Sequence, residues 1–172
     1  MEQVILVDEH DSPIGVEEKL RAHQNGGRLH RAFSIFVFNG REELLLQQRA
    51  TQKYHFGGLW SNTCCGHPRP DESLDAAAKR RLREEFGFET DLQEQFAFIY
   101  EAHDAASGLT EHEFLHVFVG RFDGKPSPTR SEIDAWRWTG LKDIRRDLQV
   151  SPLRYTPWFR IAIEKLGTAC EM

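Results

Sequence analysis

Strand-like and helix-like segments alternate along this chain, and that order predicts one layered domain of the α/β (α+β) class over residues 1–172. The length suits a single domain with a sizeable hydrophobic core. Forty per cent of the residues are hydrophobic and 28% are charged, which is typical of a globular protein in water. No repeat, linker or low-complexity stretch divides the chain. We therefore expect one domain.

The first third of the chain is expected to be mostly β-structure. Apolar, β-branched and aromatic residues mark the strands, and the Asn39-Gly40 pair marks a hairpin turn between two of them. The patterns predict, in order, a strand at 4–7, a turn at 8–15, one or two helical turns at 16–22, a loop at 24–27, and paired strands at 32–39 and 43–49.

The rest of the chain begins with a loop at residues 56–60, and the two prolines Pro68 and Pro70 then interrupt it. An apolar pattern of helical period follows, and Gly87 is placed to end that helix. The patterns predict helices at 72–86, 141–148 and 155–166, and strands at 95–103, 111–122 and 135–138.

Charge and cysteine content narrow the function classes. A net charge of −5 argues against a nucleic-acid-binding surface, although local cations can still bind a small anion. No apolar run approaches the roughly 18–20 residues of a membrane span, and the acidic start with its short apolar run predicts no signal peptide. The three cysteines, Cys64, Cys65 and Cys170, do not make a disulfide framework. We expect a reducing, cytoplasmic setting, with Cys64 and Cys170 acting as small apolar residues.

The strongest motif spans residues 66–88. It has a glycine, a glutamate after five residues and, after seven more, the run RRLREEFGF. This spacing resembles the Nudix box, in which a loop leads into a helix whose carboxylates hold Mg²⁺ on a diphosphate. The resemblance implies a Nudix-like domain with mixed β-sheets sandwiched by helices. A solvated, charged helix face is the alternative for the run alone.

One position departs from the Nudix pattern, which has glutamate where this chain has Arg81. An arginine removes a metal ligand and adds a group that binds phosphate. Arg81 and Glu85 are four residues apart and share a helix face. We expect Arg81 to bind diphosphate directly and Glu85 to bind it through Mg²⁺. Such a site holds a diphosphate without cutting it.

Two carboxylates suggest a second site. Glu111 and Glu113 alternate along one face of a predicted strand, and Leu115, Val117 and Val119 continue that face. Carboxylates on an apolar face are costly unless they bind metal or share a proton. The alternative is an edge strand that begins with solvated glutamates.

Residues 62–68 (NTCCGHP) resemble the catalytic segment of the type I isopentenyl diphosphate isomerases. Matching pieces are spread over residues 4–159, which makes the resemblance specific. It implies a metal-dependent isomerase of isoprenoid precursor biosynthesis that interconverts isopentenyl and dimethylallyl diphosphate. The partner would be a small diphosphate, without nucleic acid or membrane, and we expect a monomer.

The resemblance also implies roles for individual residues. Cys65 and Glu113 would be the base and acid, Tyr100 would relay or position the proton, and Trp158 would shield the carbocation unless it is only a core residue. Zn²⁺ or Mn²⁺ would be bound by His23, His30, His67, Glu111 and Glu113. Diphosphate would be bound by Lys19, Arg49, Lys53 and Arg81. The remaining histidines match no ligand position, and His10 and His55 are expected to be structural or surface residues.

Two other functions remain open from the residues. One is a Nudix hydrolase acting on a nucleoside diphosphate derivative, which Arg81 and Cys65 disfavour. The other is a non-catalytic zinc-binding module. Such a module normally carries CxxC pairs, and this chain has none.

Overall fold

The computed structural model describes the backbone of residues 1–170 and the side chains of residues 1–167. The side chain of Cys170, expected to be a small apolar residue, lies outside that part. In chain order the elements are β1 (Gln3–Val7), β2 (Pro13–Glu18), α1 (Lys19–His23), β3 (His30–Phe38), β4 (Glu43–Arg49), β5 (Trp60–Ser61), β6 (Cys64–Gly66), α2 (Leu74–Phe86), β7 (Leu92–Asp104), β8 (Leu109–Arg121), β9 (Ile133–Gly140), α3 (Leu141–Val150), a 3₁₀ turn (Pro152–Arg154) and α4 (Pro157–Cys170).

Strand β3 is the hub of the sheet. It runs parallel to β8 along its whole length, and it pairs antiparallel with β1 and β6. The hairpin partner β4 is paired with β3 in the sheet at Phe38 and Leu44, and the rest of β4 pairs with β9 and β5. The two strands of the predicted hairpin therefore diverge, and each organises its own set of neighbours.

Alternate residues of β3 face two hydrophobic cores. Ala32 and Phe36 enter a first core that includes residues of α3 and α4. Phe33 and Ile35 enter a second core that includes the buried face of α2. This period of two places helices on both sides of the sheet. The predicted α/β (α+β) class, with sheets sandwiched by helices, is confirmed.

Helix α2 begins and ends where its sequence predicts to within two residues. The Ser73 side chain accepts a hydrogen bond from the Ala76 amide at the N-terminus, and Gly87 ends the helix in the left-handed conformation at φ 72°.

Gly66, at the start of the motif, is needed for a different reason. A Cβ atom there would lie 2.8 Å from the Phe33 ring and 2.9 Å from Arg81 Cγ, so glycine lets β6 pack closely between them.

Residues 8–22 differ from the prediction. Residues 13–18 form the edge strand β2, paired with β1, and helix α1 starts only at Lys19. Ile14 and Val16 alternate as strand residues do, but both are exposed, so no buried face marked the strand in the sequence. The Glu18 side chain caps α1 by accepting hydrogen bonds from the amides of Leu20 and Arg21.

Among the described residues no helix is both long and apolar enough to cross a membrane.

Candidate active site and metal centre

The two glutamates of β8 lie inside the molecule. Glu111 and Glu113 are 3% and 6% exposed, and Glu113 is the register partner of His30 on β3. Leu115 and Val117 follow on the same face and enter the first core. Strand β8 has neighbours on both sides, β3 and β7, so the edge-strand alternative does not hold.

Three histidines from separate elements meet these glutamates. His23 ends α1, His30 opens β3 and His67 follows β6. His23 Nε2 lies 3.0 Å from Glu111 Oε2, and His67 Nε2 lies 3.0 Å from Glu113 Oε1. One ligand atom from each of these five side chains lies within 4.8 Å of all the others. We call this group the His/Glu cluster.

Hydrogen bonds from the Nδ1 atoms of His23 and His30 orient these two rings as metal ligands. Nδ1 of His23 donates to the Lys19 carbonyl at 2.6 Å, and Nδ1 of His30 donates to the Arg28 carbonyl at 2.7 Å. With Nδ1 as the donor, the Nε2 lone pairs of the neutral rings face each other and the carboxylates. Lone pairs and anions so close repel unless a cation or protons lie between them. Ligands about 2.0–2.2 Å from one ion are at most about 4.4 Å apart, so small shifts would bring the cluster around a divalent ion.

Opposing effects set the charges of the cluster. Burial raises the pKa of Glu111, but its contacts with His23 and His55 lower that pKa by more, so the pKa ends well below its usual value. Burial, aided by His30, lowers the pKa of His67 to about 4 despite its contact with Glu113. The structure therefore pairs ionised carboxylates with a neutral imidazole, as a divalent metal requires of its ligands.

Cys65 lies on the wall of the neighbouring cavity. Its Sγ is 3.3 Å from the Ser34 hydroxyl, 3.3 Å from Asn62 Nδ2 and 3.4 Å from Asn62 Oδ1. Burial raises the pKa of the thiol to about 11, although Ser34 and Asn62 oppose this. With this raised pKa, Cys65 carries its proton at neutral pH in this structure. Adjacent Cys64 packs in the second core, as expected of a small apolar residue.

Tyr100 and Trp158 complete the wall. The Tyr100 hydroxyl donates to Glu113 Oε2 at 2.7 Å, and burial raises the Tyr100 pKa well above its usual value, so the phenol keeps its proton. The Trp158 indole N–H donates to the Ser61 hydroxyl at 3.1 Å. Trp158 belongs to the first core and also lines the cavity, so it is a core residue with one side towards the site.

The four predicted diphosphate-binding cations line this same cavity, and they share it with acidic residues. Lys19 Nζ lies 3.0 Å from Glu2 Oε2. Lys53 forms an ion pair with Glu132, and Arg81 forms one with Glu85.

Arg49 is held differently from the other three cations. It donates to the His55 carbonyl at 3.2 Å, and its guanidinium lies 5.3 Å from the centre of the Trp158 ring. Glu85 Oε2 also accepts a hydrogen bond from Gln47 Nε2 at 2.9 Å.

The cavity measures about 120 Å³. Ligand sites typically enclose about 300–1,000 Å³, so side chains must move before a diphosphate fits. The ion pairs of Lys19 and Lys53 with Glu2 and Glu132 are partly exposed, and we expect these to open first.

Known proteins resemble this chain over most of its length. The NUDIX domain family matches residues 28–159. The "Isopentenyl-diphosphate Delta-isomerase" of Halorhodospira halophila is 55% identical, covering 98% of this chain and 97% of the relative. The protein of the same name from Burkholderia multivorans is 53% identical, covering 96% and 93%.

The chain belongs to the isopentenyl-diphosphate Delta-isomerases of the NUDIX family.

Solved structures support the NUDIX fold of this isomerase-family chain. DR0079 from Deinococcus radiodurans has a TM-score of 0.71 at 19% identity, covering 87% of this chain and 90% of that one. The MutT protein from Methanosarcina mazei has a TM-score of 0.70 at 20% identity, covering 84% and 96%. At these identities the likeness shows the fold alone.

In this NUDIX-family chain all the residues predicted for the site come together. Eleven of the thirteen line the cavity, and His23 and His30 complete the His/Glu cluster behind it. The catalytic, metal-binding and substrate-binding roles assigned to them remain predictions.

Sequence reasoning missed several residues of the site. His55, expected to be a structural or surface residue, is not at the surface: it is 6% exposed, and its Nε2 contacts Glu111. Glu2, Gln47 and Glu132 also line the cavity. Glu2, His55 and Glu132 lie outside the strands, where no periodic pattern signals the direction of a side chain, and Gln47 lies within β4. His10 is exposed, as expected.

Proposed function

We propose that this chain interconverts isopentenyl diphosphate and dimethylallyl diphosphate, with Cys65 and Glu113 as its acid–base pair. The observation that most supports this is that both side chains line one cavity, beside the His/Glu cluster and four cations. The relatives that match nearly the whole chain carry the name isopentenyl-diphosphate Delta-isomerase.

The reaction moves a carbon–carbon double bond. A proton adds to the terminal alkene carbon, a tertiary carbocation forms, and a proton leaves the carbon on its other side. One proton enters the substrate and one leaves, so its composition is unchanged. An alkene is a very weak base, so the proton donor has to be held against it and water kept away from the cation.

Cys65 and Glu113 can exchange these two protons. In the structure Cys65 carries a proton on Sγ, while Glu113 is ionised because contacts with His30 and His67 lower its pKa against burial and the Glu111 charge. The pair thus holds one exchangeable proton. In a turnover one member gives its proton to the substrate and the other member takes one, so the exchangeable proton ends on the opposite member. It must return to the first member, by exchange with water, before the next turnover in the same direction. Tyr100 holds Glu113 Oε2 in place for this transfer.

The metals belong to this proposal. The His/Glu cluster would hold Mn²⁺ or Zn²⁺, which would increase the acidity of its ligand Glu113. Glu85 would bind Mg²⁺ together with the substrate diphosphate. Arg81 and the other three cations would neutralise the diphosphate, and the Trp158 ring would shield the carbocation, a contact worth about 2 kcal/mol when desolvated.

A nucleoside diphosphate hydrolase is the less favoured alternative. Arg81 stands where the Nudix box has a glutamate, and its guanidinium contacts both Glu84 and Glu85, which reduces the negative charge available to bind metal.

A monomer in the cytoplasm remains our expectation from the sequence.

The deciding assay is direct. Incubation with isopentenyl diphosphate and Mg²⁺ is expected to yield the dimethylallyl isomer. Rapid phosphate release from nucleoside diphosphate derivatives, without isomerisation, would overturn the proposal in favour of a hydrolase.

Chelation is expected to abolish isomerisation, because both proposed metal sites would empty. Mg²⁺ together with Mn²⁺ or Zn²⁺ should restore activity. Elemental analysis should find one tightly bound ion in the native protein, none in His67→Ala, and an unchanged amount in the control His10→Ala. A fully active preparation without tightly bound metal would rule out the His/Glu site.

Arg81→Glu is expected to reduce isomerisation strongly without creating a good hydrolase. The change removes a charge-assisted bond to diphosphate, worth about 1.5–3 kcal/mol or about 10–150-fold in kcat/KM. It also adds a negative charge beside Glu85. Hydrolysis would further need a water in line with phosphorus.

Kinetics on isopentenyl diphosphate test the first half of this prediction, and phosphate release from nucleoside diphosphate sugars tests the second. Arg83→Glu is a matched control, because Arg83 lies on the same helix but pairs with Glu89 away from the cavity. Near-normal isomerisation by Arg81→Glu would mean that Arg81 does not bind the diphosphate.

A further inference from the structure

His55 approaches the His/Glu cluster from outside it. The residue lies in the loop between β4 and β5 and is buried. Its Nε2 contacts Glu111 Oε1, whereas the other oxygen, Oε2, lies 3.0 Å from His23 Nε2. Glu111 is therefore held by one oxygen and presents the other to the cluster.

The loop that carries His55 is anchored on both sides. The His55 carbonyl accepts a hydrogen bond from Arg49 Nη2 at 3.2 Å, and the next amide, that of Phe56, donates to Asp104 Oδ2 at 3.1 Å. Phe56 has φ 50°, a left-handed conformation that a bulky residue rarely adopts. The Tyr54 ring packs 4.4 Å from the imidazole. The backbone thus turns sharply to point His55 at Glu111.

The hydrogen-bonding pattern of His55 is the reverse of that of His23 and His30. Those two donate from Nδ1 to backbone carbonyls and turn Nε2 lone pairs into the cluster. Nδ1 of His55 is buried and has no hydrogen-bond partner within the described part of the chain. Nδ1 of His67 is likewise buried without a partner, but His67 belongs to the His/Glu cluster, whereas His55 lies outside it and contacts Glu111 Oε1. A neutral His55 ring facing that carboxylate carries its proton on Nε2, so we assign His55 as a donor to Glu111 and not as a ligand.

We infer that His55 is a positioning residue of the metal centre, whose Nε2–H fixes the Glu111 carboxylate so that Oε2 faces the ion. Partners of this kind orient a ligand, and their loss typically costs about 10–100-fold in metal affinity. The inference rests on the proposed metal centre, but it does not depend on the reaction.

A matched pair of variants tests the role of the donor. Methionine and glutamine are of nearly equal size, and only glutamine carries a terminal N–H. Competition with a fluorescent chelator measures Mn²⁺ affinity on metal-free protein. We expect His55→Met to weaken Mn²⁺ binding about 10–100-fold and His55→Gln to recover most of that loss. The exposed control His10→Met should bind as the wild type does. If His55→Met does not fold, His55→Asn, whose amide is too short to reach Glu111, takes its place with the same expected loss.

The outcomes separate the possibilities. Equal Mn²⁺ affinity in the wild type and both variants, with only a lower metal-free melting temperature, would show a purely structural role and overturn the inference. A wild-type protein that binds neither Mn²⁺ nor Zn²⁺ would overturn the metal centre and the inference with it. Metal binding that depends on His55, in a protein without isomerase activity, would support the inference and overturn the proposed reaction alone.

Discussion

Cys65→Ala is expected to abolish isomerisation while the protein stays folded and still binds diphosphate. The thiol is one of two groups proposed to exchange protons with the substrate, and loss of such a group costs about 10²–10⁴-fold in rate. No other acid lies within hydrogen-bond reach of the Cys65 sulfur except the weakly acidic Ser34 hydroxyl, among the described residues. The measurement is kcat on isopentenyl diphosphate, with calorimetry of inorganic pyrophosphate binding as the test of an intact site.

Cys64→Ala is the matched control for this experiment. Cys64 is adjacent in sequence but points into the second core, so its loss should cost about 1 kcal/mol of folding free energy and leave kcat nearly unchanged. If Cys64→Ala were inactive and Cys65→Ala normal, the assignment of the catalytic cysteine would be off by one residue.

Glu113→Gln should be as damaging as loss of the cysteine, because Glu113 has two proposed tasks. The amide has nearly the same shape but neither gains nor releases a proton near neutral pH, and it is a weaker metal ligand. We expect at least about a 10³-fold loss of kcat together with weaker metal binding.

Two further variants separate the tasks of Glu113. Glu111→Gln should lose metal affinity and can be rescued in part by excess metal, since the proton-exchanging carboxylate remains. Tyr100→Phe removes the hydroxyl that holds Glu113 Oε2 and should lower kcat by a smaller factor. Substantial activity of Glu113→Gln at saturating metal would contradict its role in proton transfer.

Sequence patterns that span only a few residues were enough to predict much of the fold. The N-cap Ser73 and the left-handed Gly87 delimit α2, and the alternation of Glu111, Glu113 and Leu115 identified the buried face of β8. Strand β2 was missed because its apolar residues face outwards, so its pairing with β1 leaves no burial pattern to read.

Resemblance to known motifs supplied the list of site residues, but composition and periodicity could not place them in one cavity. His23, His30 and His67 come from three separate parts of the chain. The pairing of β3 with β8 and β6 brings His30 and His67 to the glutamates, and contact between α1 and β8 brings His23 there. The protonation of Cys65 also could not be read from its neighbours in sequence, because it depends on burial by distant side chains.

Local sequence therefore accounts for helices α2, α3 and α4, the longer buried strands and the α/β class, since capping and periodicity act over a few residues and are written directly in the chain. The short strands β5 and β6 were not predicted, because two or three residues are too few to show a periodic pattern. The contact between Glu111 and His55 could not be predicted from local sequence. His55 lies 56 residues away and carries no pattern that separates it from the exposed His10. Its direction is set by the left-handed turn at Phe56 and by the bond from that amide to Asp104 on β7. Contacts between residues so distant in the chain exist only once the sheet has formed.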